Sequence, residues 1–160
     1  MSSNRPTPLI EVIALATLLI GTLDISDALI FHSLRGVPAI QIPQGIASGI
    51  LGRSSFGMGL HSALLGLGLH YFITAVVVTI YLLASRRLPL SRHPYLFGAL
   101  YGIVVYFFMA NVVLPLSRQY PPRHFSLATL NNGLAASIFL IGIPTALIAN
   151  RYQMHKSSTP

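Results

Sequence analysis

The chain predicts an all-α fold, an antiparallel four-helix transmembrane bundle with a short interfacial or re-entrant helix between its first two spans. Three observations predict it. Only 8% of the residues are charged and 53% are hydrophobic, against roughly 25% charged in a soluble domain. Four apolar runs, at about 9–34, 58–84, 95–116 and 127–149, each exceed the roughly 20 residues that cross about 30 Å of hydrocarbon. The net charge of +7 is gathered in the flanks and loops of those runs, the pattern of topology-setting Lys and Arg rather than of a nucleic-acid face.

Residues 1–8, polar and punctuated by Pro6 and Pro8, form a disordered tail ahead of one integral membrane domain, 9–151. The first span holds every carboxylate of the chain, Glu11, Asp24 and Asp27. Its apolar run is longer than the roughly 7–15 residues of a secretory signal, and no small-x-small cleavage site follows it, so it is read as retained. Pro38 and Pro43 interrupt the segment that follows. From Pro43 to Phe56, Ile46, Ile50 and Leu51 share one helical face, too short to span the bilayer. Pro43 near the start and Gly57 after the end fit the usual asymmetry of helix termini.

The second span carries Gly59, Ala63, Gly66, His70 and Thr74 on one stripe, which lets helices approach closely and should face the bundle interior. His61 lies on the opposite face, so the two histidines cannot chelate one ion from a straight helix. A compact basic loop with Arg86, Arg87 and Arg92 leads to the third span, with a Gly98/Gly102 pair at one end and Asn111 and Pro115 at the other. A proline-rich loop, 117–125, follows, with Ser126 placed to cap the fourth span. That span opens with Asn131 and Asn132, and Pro144 should kink it. Residues 152–160 form a flexible tail.

Six of the ten Lys and Arg fall on the side of the termini: Arg5, Arg86, Arg87, Arg92, Arg151 and Lys156. Arg35, Arg53, Arg118 and Arg123 fall on the other, so the positive-inside rule places both termini in the cytoplasm. Counting 1.5 Å per residue from each span's first residue puts Asp24 about 8 Å, Asp27 about 3 Å and His61 about 5 Å below the outer face. Asn111, Asn131 and Asn132 fall at about 6–8 Å by the same count, and His70 deeper, at about 18 Å. The polar side chains therefore gather in one outer-half layer.

An acid near the bilayer centre costs at least about 2.5–3.5 kcal/mol, so intramembrane acids face a partner or a water-filled cavity. Asp24 and Asp27, at i and i+3, share a face and are close enough to share a proton. The leading function is a polar outer-half site for proton-coupled or cation-linked handling of a small solute, with Asp24 and Asp27 as protonatable groups and His61, Asn111, Asn131 and Asn132 as partners. The bland alternative is a structural network of the same residues. A second class is an accessory subunit or assembly factor of a larger membrane complex, marked by an exposed small-residue stripe such as Gly98 and Gly102. A third holds haem or metal through His70, which lacks a second inward histidine at its depth unless a symmetric dimer supplies one. With no cysteine and with Ser26, Ser62 and Ser137 outside any nucleophile elbow, the reading is non-enzymatic and expects no cofactor. The expected partners are the lipid bilayer and a second copy or a partner membrane subunit, with no nucleic acid.

The segments GTLDISDALIF, LRGVP, IASGILG, LLGLGLHYF and NVVLPLS together resemble those of small bacterial inner-membrane proteins with four predicted helices. The resemblance extends from about Leu9 to Arg151. It implies a multi-pass protein of the bacterial inner membrane and carries no catalytic residue, since no reaction is assigned to that group.

Overall fold

The computed structural model describes residues 8–118 and 126–157, and every regular element among them is helical. The tail 1–7, most of the proline-rich loop and the last three residues lie outside the described residues. Helix α1 is Leu9–Ser33, α2 is Gln41–Leu51 followed by a 3-10 turn at Gly52–Gly57, and α3 is Leu60–Ala84. Helix α4 is Pro94–Leu116. Helix α5 runs from Leu127 to Ser157, so residues 152–157 continue the helix where the sequence suggested a flexible tail. Four of these helices, α1, α3, α4 and α5, are long and apolar enough to cross a membrane.

The molecule is built inside out relative to a water-soluble protein. Leu15, Leu18, Leu64, Phe72, Val104, Phe107 and Phe139 are more than half exposed, whereas the buried set is dominated by small and hydroxyl residues such as Ala16, Ala63, Thr74, Ser137, Thr145 and Ala149. Lipid tails solvate large apolar side chains as well as a core does, so packing selects residues that let backbones touch. The Gly98/Gly102 pair is used this way within the chain. A Cβ on Gly98 would lie 2.8 Å from Ile143 Cα, one on Gly102 2.7 Å from Ile138 Cα, and one on Gly142 2.9 Å from Gly102 Cα. The stripe expected to meet a foreign helix is filled by α5.

The stripe on α3 faces inward from Ala63 through Gly66 and His70 to Thr74, while Gly59 stands just before the helix at φ +58°. Gly66 receives α2, and a Cβ there would overlap the Pro43 carbonyl. α2 buries Gln44, Ala47 and Ser48 and leaves Ile50 exposed. Gln44 Nε2 donates to Gly59 O at 2.9 Å, Ser55 Oγ to Gln44 O at 2.5 Å, and Ser62 Oγ to Ser55 O at 2.6 Å. Arg118 N donates to Gly49 O at 2.9 Å, tying the end of α4 to the same segment. These bonds fasten α2 and the turn after it to α3 and to the end of α4.

Both late prolines act through the turn before them. Pro115 follows a π turn at Met109–Val113, and Pro144 follows one at Ser137–Gly142. A proline ring clashes with the carbonyl four residues back, here that of Asn111 and that of Leu140. Widening the helix by one residue relieves the clash. The turn before Pro144, where a kink was expected, is widened, as is the turn before Pro115 in α4. Ser126 occupies the cap position of α5 with an extended backbone but makes no side-chain cap bond.

Candidate functional site

Away from α2, the helices close on one another. Ala16 and Ile20 of α1, Val78, Tyr81 and Leu82 of α3, and Ala146 and Ala149 of α5 form one packed core. Toward α2 the same helices diverge around a cavity of about 290 Å³. The widened turns contribute Met109 from α4 and Ser137 and Ile141 from α5 to its wall. Asp24, Asp27, Phe31 and His32 line it from α1, His70, Thr74 and Val77 from α3, and Thr129, Asn132, Gly133 and Ala136 from α5. Ile46 of α2 and Val105 and Tyr106 of α4 complete the apolar part. No Lys or Arg among the described residues lines it.

Gly21 lets α3 approach α1, since a Cβ there would lie 2.7 Å from the Tyr71 ring. That approach brings His70 Nε2 within 2.8 Å of Gly21 O. A carbonyl oxygen only accepts, so Nε2 carries the proton and Nδ1 of the neutral ring is a bare acceptor. Nδ1 stands 4.0 Å from Asp24 Oδ2, beyond hydrogen-bond distance. His70 is 9% exposed. Thr74 Oγ1 donates to His70 O at 2.9 Å and fixes the same turn. Asp27 is held separately, its Oδ2 accepting from Asn132 Nδ2 at 2.8 Å.

Of the residues singled out in the sequence, Asp24, Asp27, Asn132 and His70 line the cavity. His61, Asn111 and Asn131 are exposed and do not. Asn111 Nδ2 donates back to Phe107 O at 2.9 Å, taking up a carbonyl where the π turn shifts the backbone ladder. His70 meets Asp24, although the depth count separated them by about 10 Å. That count fixed α1 by its Leu9 end. Measured from the other end, Asp24 is nine residues from Ser33 and His70 ten from Leu60, about 14 and 15 Å. The sequence reading also passed over Thr129, which shares a helical face with Asn132, Gly133 and Ala136 at i, i+3, i+4 and i+7. That spacing was the available signal.

The arrangement can hold a proton on a carboxylate and present carboxylate and imidazole acceptors to a small molecule. Haem ligation through His70 Nε2 would have to break its bond to Gly21, and no group of three metal-ligating side chains occurs among the described residues. The class defined is a chain with four helices able to cross a membrane around an acidic, partly apolar cavity. Comparison with family models, curated proteins and solved structures finds no match for this chain. Its function is therefore argued from the site.

Proposed function

We propose that this is a multi-pass protein of the bacterial inner membrane, an antiparallel four-helix bundle with both termini in the cytoplasm, that couples a small solute to a proton held at Asp24. The cavity supports it, because two carboxylates and an imidazole converge between the spans where desolvating charge is costly. With this orientation the cavity faces outward and the Ala16–Ala149 core closes the cytoplasmic half, one of the two states that alternating access requires. Asp24 carries the proton, with the His70 ring 4.0 Å away. Asn132 holds Asp27, and a second copy of the chain completes a dimer large enough for transport. The accessory-subunit reading loses its main support, since α5 fills the Gly98/Gly102 stripe.

Proteoliposomes containing a pH-sensitive dye test this reading against a panel of amino acids, sugars, organic ions and metal cations. At least one class should drive proton movement, and Asp24→Asn should abolish the response while the protein inserts normally. No response to any class, or an unchanged one in Asp24→Asn, overturns the reading. Because the chain has no cysteine, Arg87→Cys and Arg53→Cys report orientation cleanly: the first should label only from the cytoplasmic side, the second only from outside.

A further inference from the structure

We infer that the solute is a small primary or secondary amine, bound as its ammonium ion, with one apolar arm; this rests on the proposed solute site and names its ligand class. His70, nine-tenths buried, turns Nδ1 toward Asp24 without reaching hydrogen-bond distance. In the neutral ring the Gly21 bond leaves Nδ1 unprotonated, so two acceptors stand 4.0 Å apart. A nitrogen about 2.9 Å from both subtends an angle of about 90°, within reach of two N–H bonds of one ammonium group. A zinc-like ion about 2.1 Å from both would need an angle of about 145°, far from tetrahedral. The acceptor gap thus favours an ammonium donor over a zinc-like ion.

The rest of the cavity agrees in charge and shape. No Lys or Arg among the described residues lines it, so an anion would meet Asp24 and Asp27 without a fixed positive charge. Ile73, Val77, Tyr106, Met109 and Ile141 supply an apolar pocket beside the acids. A cavity of about 150 Å³ holds a benzene ring; 290 Å³ leaves room for a ring and a two-carbon ammonium arm. Charge-assisted bonds to Asp24 and His70 would orient the nitrogen while the arm lies against Tyr106.

The full chain, purified in mild detergent, should bind 2-phenylethylamine by titration calorimetry. The neutral isostere 2-phenylethanol should bind about tenfold more weakly or worse, since it lacks the charge-assisted bonds. The N,N,N-trimethyl derivative, which keeps the charge and loses the donors, should also bind more weakly. Asp24→Asn should weaken the amine by about tenfold or more and leave the alcohol unchanged. His70→Gln should weaken the primary amine more than the trimethyl compound. Equal binding of amine and alcohol, or undiminished amine binding in Asp24→Asn, overturns the inference. If amines fail while another solute class still drives Asp24-dependent proton movement, this inference falls and the proton-linked reading stands.

Discussion

Near α2 the helices stand apart around carboxylates, an imidazole and an amide; at the other end they meet through alanine, glycine and a few interlocked larger side chains. The two ends share the same four helices and similar apolar composition. What separates them is backbone geometry. The Gly98, Gly102 and Gly142 seam brings α4 and α5 into contact, and the π turn at Ser137–Gly142 forms the α5 side of that seam while Ser137 and Ile141 also line the cavity. Close packing and cavity are therefore adjacent consequences of one stretch of α5, where glycine removes the side chain and Pro144 forces the turn before it to widen. Disturbing the seam should cost folding, and disturbing the cavity should cost function with a smaller loss of stability.

The largest effect is expected at the seam. In Gly142→Val the new Cβ would lie 2.7 Å from Gly102 N and overlap Gly98 O. Backbone cannot rotate away as a side-chain tip can, so a loss of about 3 kcal/mol or more is expected, measured by thermal unfolding in detergent. Unchanged stability would break the contrast at its strongest point. Next comes the docking of α2. Gln44→Ala removes the 2.9 Å bond to Gly59 O from a side chain only 3% exposed. Gly59 O keeps its bonds from Ser62 Oγ and Ala63 N, so losing the buried Gln44 bond should cost about 1.5 kcal/mol, and faster proteolysis between Gly36 and Gly59 would show that α2 has loosened.

A smaller loss is expected in the cavity. Asn132→Ala deletes the 2.8 Å donor to Asp27, but both side chains are only partly buried, so water can replace the amide. About 1 kcal/mol is the expected cost, read from the same unfolding curves. A loss as large as that of Gly142→Val would mean the cavity is a structural network, the bland alternative for Asp24 and Asp27, and would favour that alternative over a solute site.

How far the sequence foretold this depends on what each signal encodes. Apolar length encodes the spans, and their limits came within a few residues everywhere except the end of α5, where Arg151 and Gln153 extend the helix beyond its apolar run and Gln153 bonds Ser85. Small-residue spacing encodes the inward stripe of α3, and Ala63, Gly66, His70 and Thr74 all face inward. Depth along a helix says nothing about rotation around it, which is why His61, Asn111 and Asn131 joined the expected layer without reaching the cavity. The prolines at 115 and 144 were visible, but a ring clash can end in a kink or a π turn, and only packing against the neighbouring helix decides between them. The Asp24–His70 proximity needed the relative shift of α1 and α3, which depends on the Gly21 contact and not on either span alone.

The smallest predicted effect tests whether glycine is there for contact or merely tolerated. Gly66 and Gly68 lie two residues apart on α3, on different faces. A Cβ at 66 would overlap the Pro43 carbonyl, while one at 68 meets nothing within 4 Å. Gly68→Ala removes backbone freedom from the unfolded chain without touching a neighbour, so it should stabilise by at most about 1 kcal/mol. Gly66→Ala should destabilise, because α2 must retreat and loosen the Gln44–Gly59 bond and, through the turn that follows it, the Ser62–Ser55 bond. The opposite signs would come from the same substitution in the same helix, leaving the α2 contact as the cause. If Gly68→Ala also destabilises, its exposed face is covered by another chain, and the oligomer measured by native mass spectrometry should then dissociate in that variant.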